Sequence, residues 1–449
     1  MQFKISIPNK KIAINRHPLG NVQNIDPCCA HHPISSKKND EINKLIEIWM
    51  EGLYKEDENL SDRANVIASE FNHLTSGLKE GYGVLIGYNT PDTLAYQLME
   101  YNLFEFCESK TEARLAAMTD LLIDKEKLEI RSFSDFKDRA SKINKEFNED
   151  WLLTEYNLSI AVGQSSAAYQ RFIAEKDTVT SYVQYQTIGD SKVREQHKIL
   201  NGRIFNLSDK EAMKFNPPNG FGCRCEFIQY IDPVGSEDIT SGKQMWELMN
   251  RTQSNFKDSQ FAVNRGDLKE VFTKAQFYTD GKATNVINDL TYKDYNLDAT
   301  QDKKGLNPLK LDNTITKDNV KELFKPVKDE NFMGFDDYLG RKLMLDKSVF
   351  DFHTKGKYLN DQENRHQLFP YVKDIIKNPD EVWYNTQDKN STKYQSRYIK
   401  YYKGEAIVID TEFAKDGLQV KTWYKAKKED HLFRKGLLIR RKDGKTPTI

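Results

Sequence analysis

Between Gly189 and Tyr230 the chain reads GDSKVREQHKILNGRIFNLSDKEAMKFNPPNGFGCRCEFIQY, and this stretch constrains the fold more than any other. A charged piece bearing His197 passes through Leu200-Asn201-Gly202 and a polar excursion into Pro217-Pro218-Asn219-Gly220, and Cys223-Arg224-Cys225 follows at once. Such an order of turn residues leaves little room for a core of its own. Thiolate, imidazole and carboxylate are ligand types that zinc accepts, so Cys223, Cys225, His197 and Asp190 form a candidate structural zinc set. The spacing departs from common finger patterns. Two other readings therefore stand beside it: reduced packing thiols with His197 bonded to a neighbouring strand, or a strained disulfide across one residue.

The motif resembles the head-morphogenesis domain of tailed bacteriophages, the family named after Mu protein F. Asp190, Arg194, His197, Leu200, Gly202, Asp209, Pro217, Pro218, Gly222, Cys223, Arg224 and Cys225 carry the resemblance, which extends upstream to about Tyr101 and ends near Asp232. It implies a minor capsid protein of a phage or prophage, placed in the virion near the portal, with portal and capsid proteins as partners.

At 449 residues the chain exceeds one typical domain. Hydrophobic content of 38% against 30% charged residues describes a soluble protein, and no apolar run reaches the length needed to span a bilayer. MQFKISIPNKKIAINRHP has charges and proline where a signal peptide needs a continuous apolar region, so synthesis in the bacterial cytoplasm is expected. Five cysteines are too few for a disulfide scaffold. The even balance of 67 basic and 67 acidic residues conceals an asymmetry. Residues 341–449 hold 24 Lys+Arg against 15 Asp+Glu, leaving 43 against 52 elsewhere.

Residues 1–40 read as an arm; its Cys28-Cys29-Ala30-His31-His32 has metal-ligand composition, but adjacent ligands do not readily share one tetrahedral ion. Residues 41–232 read as an α-rich domain. Ile42, Leu45, Ile46, Trp49, Met50 and Leu53 recur at helical steps, Thr90-Pro91-Asp92 is a helix start, Ser132 opens another helix, and Trp151–Glu175 is a long one. SYVQYQTIGD then alternates as a strand. Residues 233–340 are polar and weakly patterned, and are expected to be a connector with some structure. Residues 341–449 read as a helix, Arg365 to Asn378, on an antiparallel sheet. The fold class is α+β: an α-rich domain followed by a small helix-on-sheet domain.

The segments NRHQLFPYVKDIIKNPDEVWY, YQSRYIKYYKGEAIVIDTEF, LQVKTWYKAKK and FRKGLLIRR resemble the phage-associated nuclease domains grouped with barnase, EndoU, colicin-type tRNases and RelE toxins. That resemblance implies metal-independent RNA cleavage, for which no cofactor is required. Such chemistry needs a base for the ribose 2′-hydroxyl, an acid for the leaving 5′-oxygen and donors around the phosphate. His366 is placed first as acid or base, Thr422 and Arg397 as transition-state donors, and His353 as second proton carrier. Tyr424 shares a face with Thr422, and Arg365, Arg434 and Lys435 are candidate phosphate ligands. Ten Lys/Arg from Lys421 to Lys445, interleaved with Trp423, Tyr424 and Phe433, predict affinity for RNA or DNA, with the aromatics stacking on bases. A basic face is commonly just solvated, so two alternatives remain: a nucleic-acid-binding packaging or structural module without catalysis, and a toxin effector whose main role is RNA cleavage.

Overall fold

A computed structural model describes residues 36–57, 59–252, 256–279, 286–355, 363–386, 394–426 and 430–442. The arm with its Cys28–His32 cluster, and Lys427, Lys428 and Lys445 of the basic stretch, lie outside the described residues. The architecture is α+β, an α-helical body joined to a seven-stranded sheet. No helix among the described residues is long and apolar enough to cross a membrane.

The body is built from α1 (Ser36–Tyr54), α2 (Leu60–Tyr82), α3 (Pro91–Leu121), α4 (Phe133–Lys145) and α5 (Leu152–Glu175), with a π-turn at Glu146–Trp151 leading into α5. The apolar stripe of α1 is buried as its spacing dictates, with Ile42, Leu45, Ile46, Trp49 and Met50 all in the core. Local signals set the helix starts: Thr90 Oγ1 accepts from Thr93 N with Pro91 in the first turn, and Ser132 Oγ accepts from Asp135 N. At Gly81 and Gly163 the backbones of α2 and α5 approach so closely that a Cβ on either would collide with the other helix. The interior of this bundle is also ionic. Lys110, Arg114, Glu70 and Glu155 are wholly buried and paired with one another.

The motif region adds a three-stranded sheet, β1 (Tyr182–Gln186) flanked by β2 (Ile204–Asn206) and β3 (Glu226–Gln229), with the short helices α6 (Glu195–Lys198) and α7 (Lys210–Met213) between. Asp209 caps α7 by accepting from the amides of Glu211 and Ala212.

Beyond α8 (Gly242–Thr252), the segment expected as a connector is packed. Phe256, Val271, Phe272 and Val320 are almost fully buried, held in short turns that lack the regular period a sequence scan detects. The large sheet starts inside it. β4 (Phe332–Asp336) pairs with β5 (Lys342–Asp346), and with β6 (Glu381–Thr386), β7 (Tyr394–Tyr402), β8 (Glu405–Ala414), β9 (Gly417–Ala426) and β10 (Leu437–Arg441) they give the order β10-β6-β7-β8-β9-β5-β4. All neighbours are antiparallel except β9 and β5, which meet in parallel at Gln419↔Met344. Among the described residues the unit also holds α9 (Lys347–Lys355), α10 (Arg365–Leu368), α11 (Val372–Lys377) and a one-turn helix at Asp430–Phe433. The single helix expected from Arg365 to Asn378 is interrupted by a 3-10 turn at Phe369–Tyr371, where Pro370 lacks the amide that a continuous helix requires.

Body and sheet share one interface. Arg341, 1% exposed, pairs with Glu100 of α3 and with Asp337, and it donates to the hydroxyls of Tyr384 and Tyr398. Gln97 of α3 donates to Lys342 O and accepts from Leu418 N, while Phe71 and Phe104 pack against the Tyr384 ring. The sheet domain is therefore docked on the helices, with desolvated charge at the seam.

Candidate functional sites

Two histidines gather chemistry in separate regions. In the sheet domain, β5 pairs with β9 only at one position, which leaves the β9 edge from Lys421 onward open to α9 and α10. His353 of α9 uses that edge: its Nε2 lies 2.9 Å from Lys421 O. A carbonyl can only accept, so Nε2 carries the proton and Nδ1 presents its lone pair. That lone pair accepts from Arg365 Nη1 at 2.7 Å, and the same nitrogen donates to Thr422 Oγ1 at 2.9 Å. The guanidinium also pairs through Nε with Glu363 at 2.6 Å. Asn364 precedes it in the left-handed region, φ 49°, a conformation asparagine tolerates, and so turns the chain sharply into α10. Trp423 braces the arrangement from the strand beside Thr422, its indole N–H donating to Arg365 O and its ring 5.1 Å from that of His353.

Register places more groups on the Thr422 face. Asp410 of β8 stands opposite both Thr422 and Arg397, making a row of three across β9, β8 and β7, and Tyr424 lies two residues along. Burial lowers the His353 pKa below its ordinary value, and the Arg365 charge works in the same direction. Burial and then the Asp410 charge push the Tyr424 phenol up, which keeps its hydroxyl protonated.

Sequence reasoning thus brought His353, Arg365, Thr422 and Tyr424 to one neighbourhood. His366, placed first, is half-buried on α10 next to Arg365. Two expectations, Arg434 and Arg397, are corrected. Arg434 is fully buried, its guanidinium held by both Glu381 oxygens, Asp430 and Asp298 O, so it is a structural ion and has no face for a phosphate. Lys435 keeps a partly exposed side chain while it pairs with Asp289 at 3.1 Å. Arg397 is tied to Asp410 and to the carbonyls of Leu432 and Phe433, which makes it a fixed part of the floor and not a free donor. Asp410 was missed, although a carboxylate inside the apolar run AIVIDTEF signals a buried partner. The stacking role is corrected as well for Trp423 and Phe433, which are buried in the core. Much of the basic stretch is neutralised locally: Lys421 pairs with Glu412, Lys425 with Glu405 and Lys442 with Asp380. A cleft of about 540 Å³ opens elsewhere on the domain, with Lys303, Lys304, Lys400 and Arg441 among its lining residues.

In the motif region, His197 Nδ1 lies 3.8 Å from Cys223 Sγ and 3.5 Å from Cys225 Sγ. The hydrogen bond with Cys225 holds the Cys223 thiol below its ordinary range and pushes Cys225 up. Asp190, the fourth expected ligand, is corrected. Both its oxygens face Arg224 Nη2, at 2.9 and 2.8 Å, so the guanidinium holds the carboxylate away from the thiols.

Comparison with known families agrees with this division. Residues 134–228 match the family model described as Phage Mu protein F like protein, and residues 320–440 match phage-Barnase-EndoU-ColicinE5/D-RelE like nuclease2. No curated protein and no solved structure gives a significant match.

Proposed function

We infer that the chain joins a Mu F-like head-morphogenesis segment to a phage-type nuclease domain, the match to the latter starting at Val320, ahead of β4. We propose that the protein is a minor head component near the portal, held in the virion by contacts with portal and capsid subunits, and that its sheet domain is a metal-independent endoribonuclease. The observation that carries the enzymatic part is the Arg365 guanidinium bridging His353 Nδ1 and Thr422 Oγ1.

His353 is neutral near pH 7, with Nδ1 the available base once Arg365 releases it. An incoming phosphodiester supplies that release, because an anionic oxygen is a better partner for guanidinium than a neutral imidazole. Nδ1 then takes the 2′-hydroxyl proton, the 2′-oxygen attacks phosphorus, and the bond to the 5′-oxygen breaks. His366 protonates the departing oxygen, leaving a 2′,3′-cyclic phosphate and a 5′-hydroxyl. Thr422 and Tyr424 donate to the phosphoryl oxygens, and Arg397 fixed by Asp410 shapes the floor. The test is cleavage of labelled RNA by the full-length chain in chelator, with end-group analysis; intact RNA under all conditions rules the reaction out. Co-purification with portal and major capsid protein, and presence in purified particles, test the structural part.

A second reading, a packaging module that binds nucleic acid without cutting it, is favoured by the cleft around Lys303, Lys304 and Lys400, whose lining holds five Lys and Arg against Asp298, Asp380 and Glu381. Under it, RNA stays intact while binding falls steeply with salt.

A further inference from the structure

Independently of the nuclease reading, we infer that His197, Cys223 and Cys225 bind one zinc ion as a three-ligand site whose fourth position is taken by water. The two sulfurs and Nδ1 all lie within 4.8 Å of one another, and among the described residues no other group of three or more His, Cys, Asp or Glu is so arranged. Tetrahedral zinc with Zn–S of about 2.3 Å and Zn–N of about 2.05 Å separates N from S by roughly 3.5 to 3.6 Å. The Cys225 distance of 3.5 Å matches that edge, and the Cys223 distance of 3.8 Å exceeds it by about 0.2 Å.

Protein groups alone satisfy the cluster poorly. Both thiols face a single ring nitrogen, which carries either one lone pair or one proton and so serves only one of them at a time. A divalent cation uses all three converging donors at once. The two thiols lose their protons to solvent, the imidazole stays neutral, and two thiolates balance the charge of Zn²⁺.

Geometry also defines the fourth position. A hollow of about 10 Å³, the size of one water, is lined by the three donors together with Lys192, Arg194 and Arg224. No carboxylate joins the donors, since Arg224 holds Asp190. A base that could activate the water is therefore missing from the cluster, and the ion's work is mechanical. It fastens the Pro217–Cys225 loop, which enters β3, to α6. Arg194, whose Nη2 donates to Phe221 O at 2.6 Å, holds the same loop beside the donors.

The test uses the full chain carrying Cys28→Ser and Cys29→Ser, which removes the other paired thiols, kept reduced and stripped of metal. Titration with Co²⁺ should saturate at about one equivalent per chain, with thiolate charge-transfer absorption, visible bands of a tetrahedral site and release of two protons. Zn²⁺ should displace it. Cys223→Ser, Cys225→Ser and His197→Ala should each lose the saturating site, and Asp190→Asn should keep it. Should a serine variant fail to fold, the cobalt spectrum of the chain with all three donors decides alone. A spectrum without thiolate bands, a Cys223–Cys225 disulfide found by mass spectrometry, or loss of the metal in Asp190→Asn overturns the assignment.

Discussion

His197 and His353 occupy opposite situations. At His353 both ring nitrogens are engaged by the protein, Nε2 by a strand-edge carbonyl and Nδ1 by Arg365, so the resting site is complete and must open to react. At His197 Nδ1 faces two sulfurs and can serve only one of them, so a cation from outside would engage all three donors at once. A satisfied histidine beside a displaceable cation suits proton transfer, and an under-satisfied one among thiols suits a metal. The two should therefore respond independently to mutation and chelation.

The largest expected effect is on catalysis. His353→Ala should lower RNA cleavage by roughly 100- to 10,000-fold, the usual worth of a general acid or base, with metal content unchanged by elemental analysis. Arg365→Ala removes the bridge between His353 and Thr422, and single-turnover rates should fall about 100-fold or more. If the Arg365 variant cleaves normally, the gating role of the guanidinium is lost. Thr422→Val keeps shape but not the hydroxyl. One neutral hydrogen bond contributes about 1 kcal/mol, so a rate loss of around fivefold is expected in the same assay.

A smaller effect concerns pH. The folded His353 pKa lies below its unfolded value of about 6.5, so the unfolded chain takes the proton first. This contribution to stability is fully present above that pH, declines as pH falls toward the folded pKa, and is flat below it. Denaturant melts between pH 7 and 5 should show the loss. His353→Gln, which keeps a donor and an acceptor but does not titrate, should flatten it.

The same contrast explains what could be read from sequence. Period and caps survive as patterns, so the stripe of α1, the starts at Thr90 and Ser132, and the alternation of β9 were legible. Charge state of the environment does not survive: Arg365 and Arg434 look alike as letters, yet one donates to His353 and the other is locked between Glu381 and Asp430. Asp190 looked like a ligand because it stands in the motif, but Arg224 within the Cys-Arg-Cys turn claims it. β4 escaped notice because five residues, FMGFD, are too few to establish alternation inside a polar segment. Only Gly334 hints at its setting, since a Cβ there would strike the Tyr88 ring from the helical body.

The most direct measurement is incubation of the full-length chain with labelled RNA in excess chelator, beside His353→Ala. The account predicts products ending in 2′,3′-cyclic phosphate from the unaltered chain and almost none from the variant. Cleavage that requires added divalent ions, or persists undiminished in His353→Ala, would contradict it.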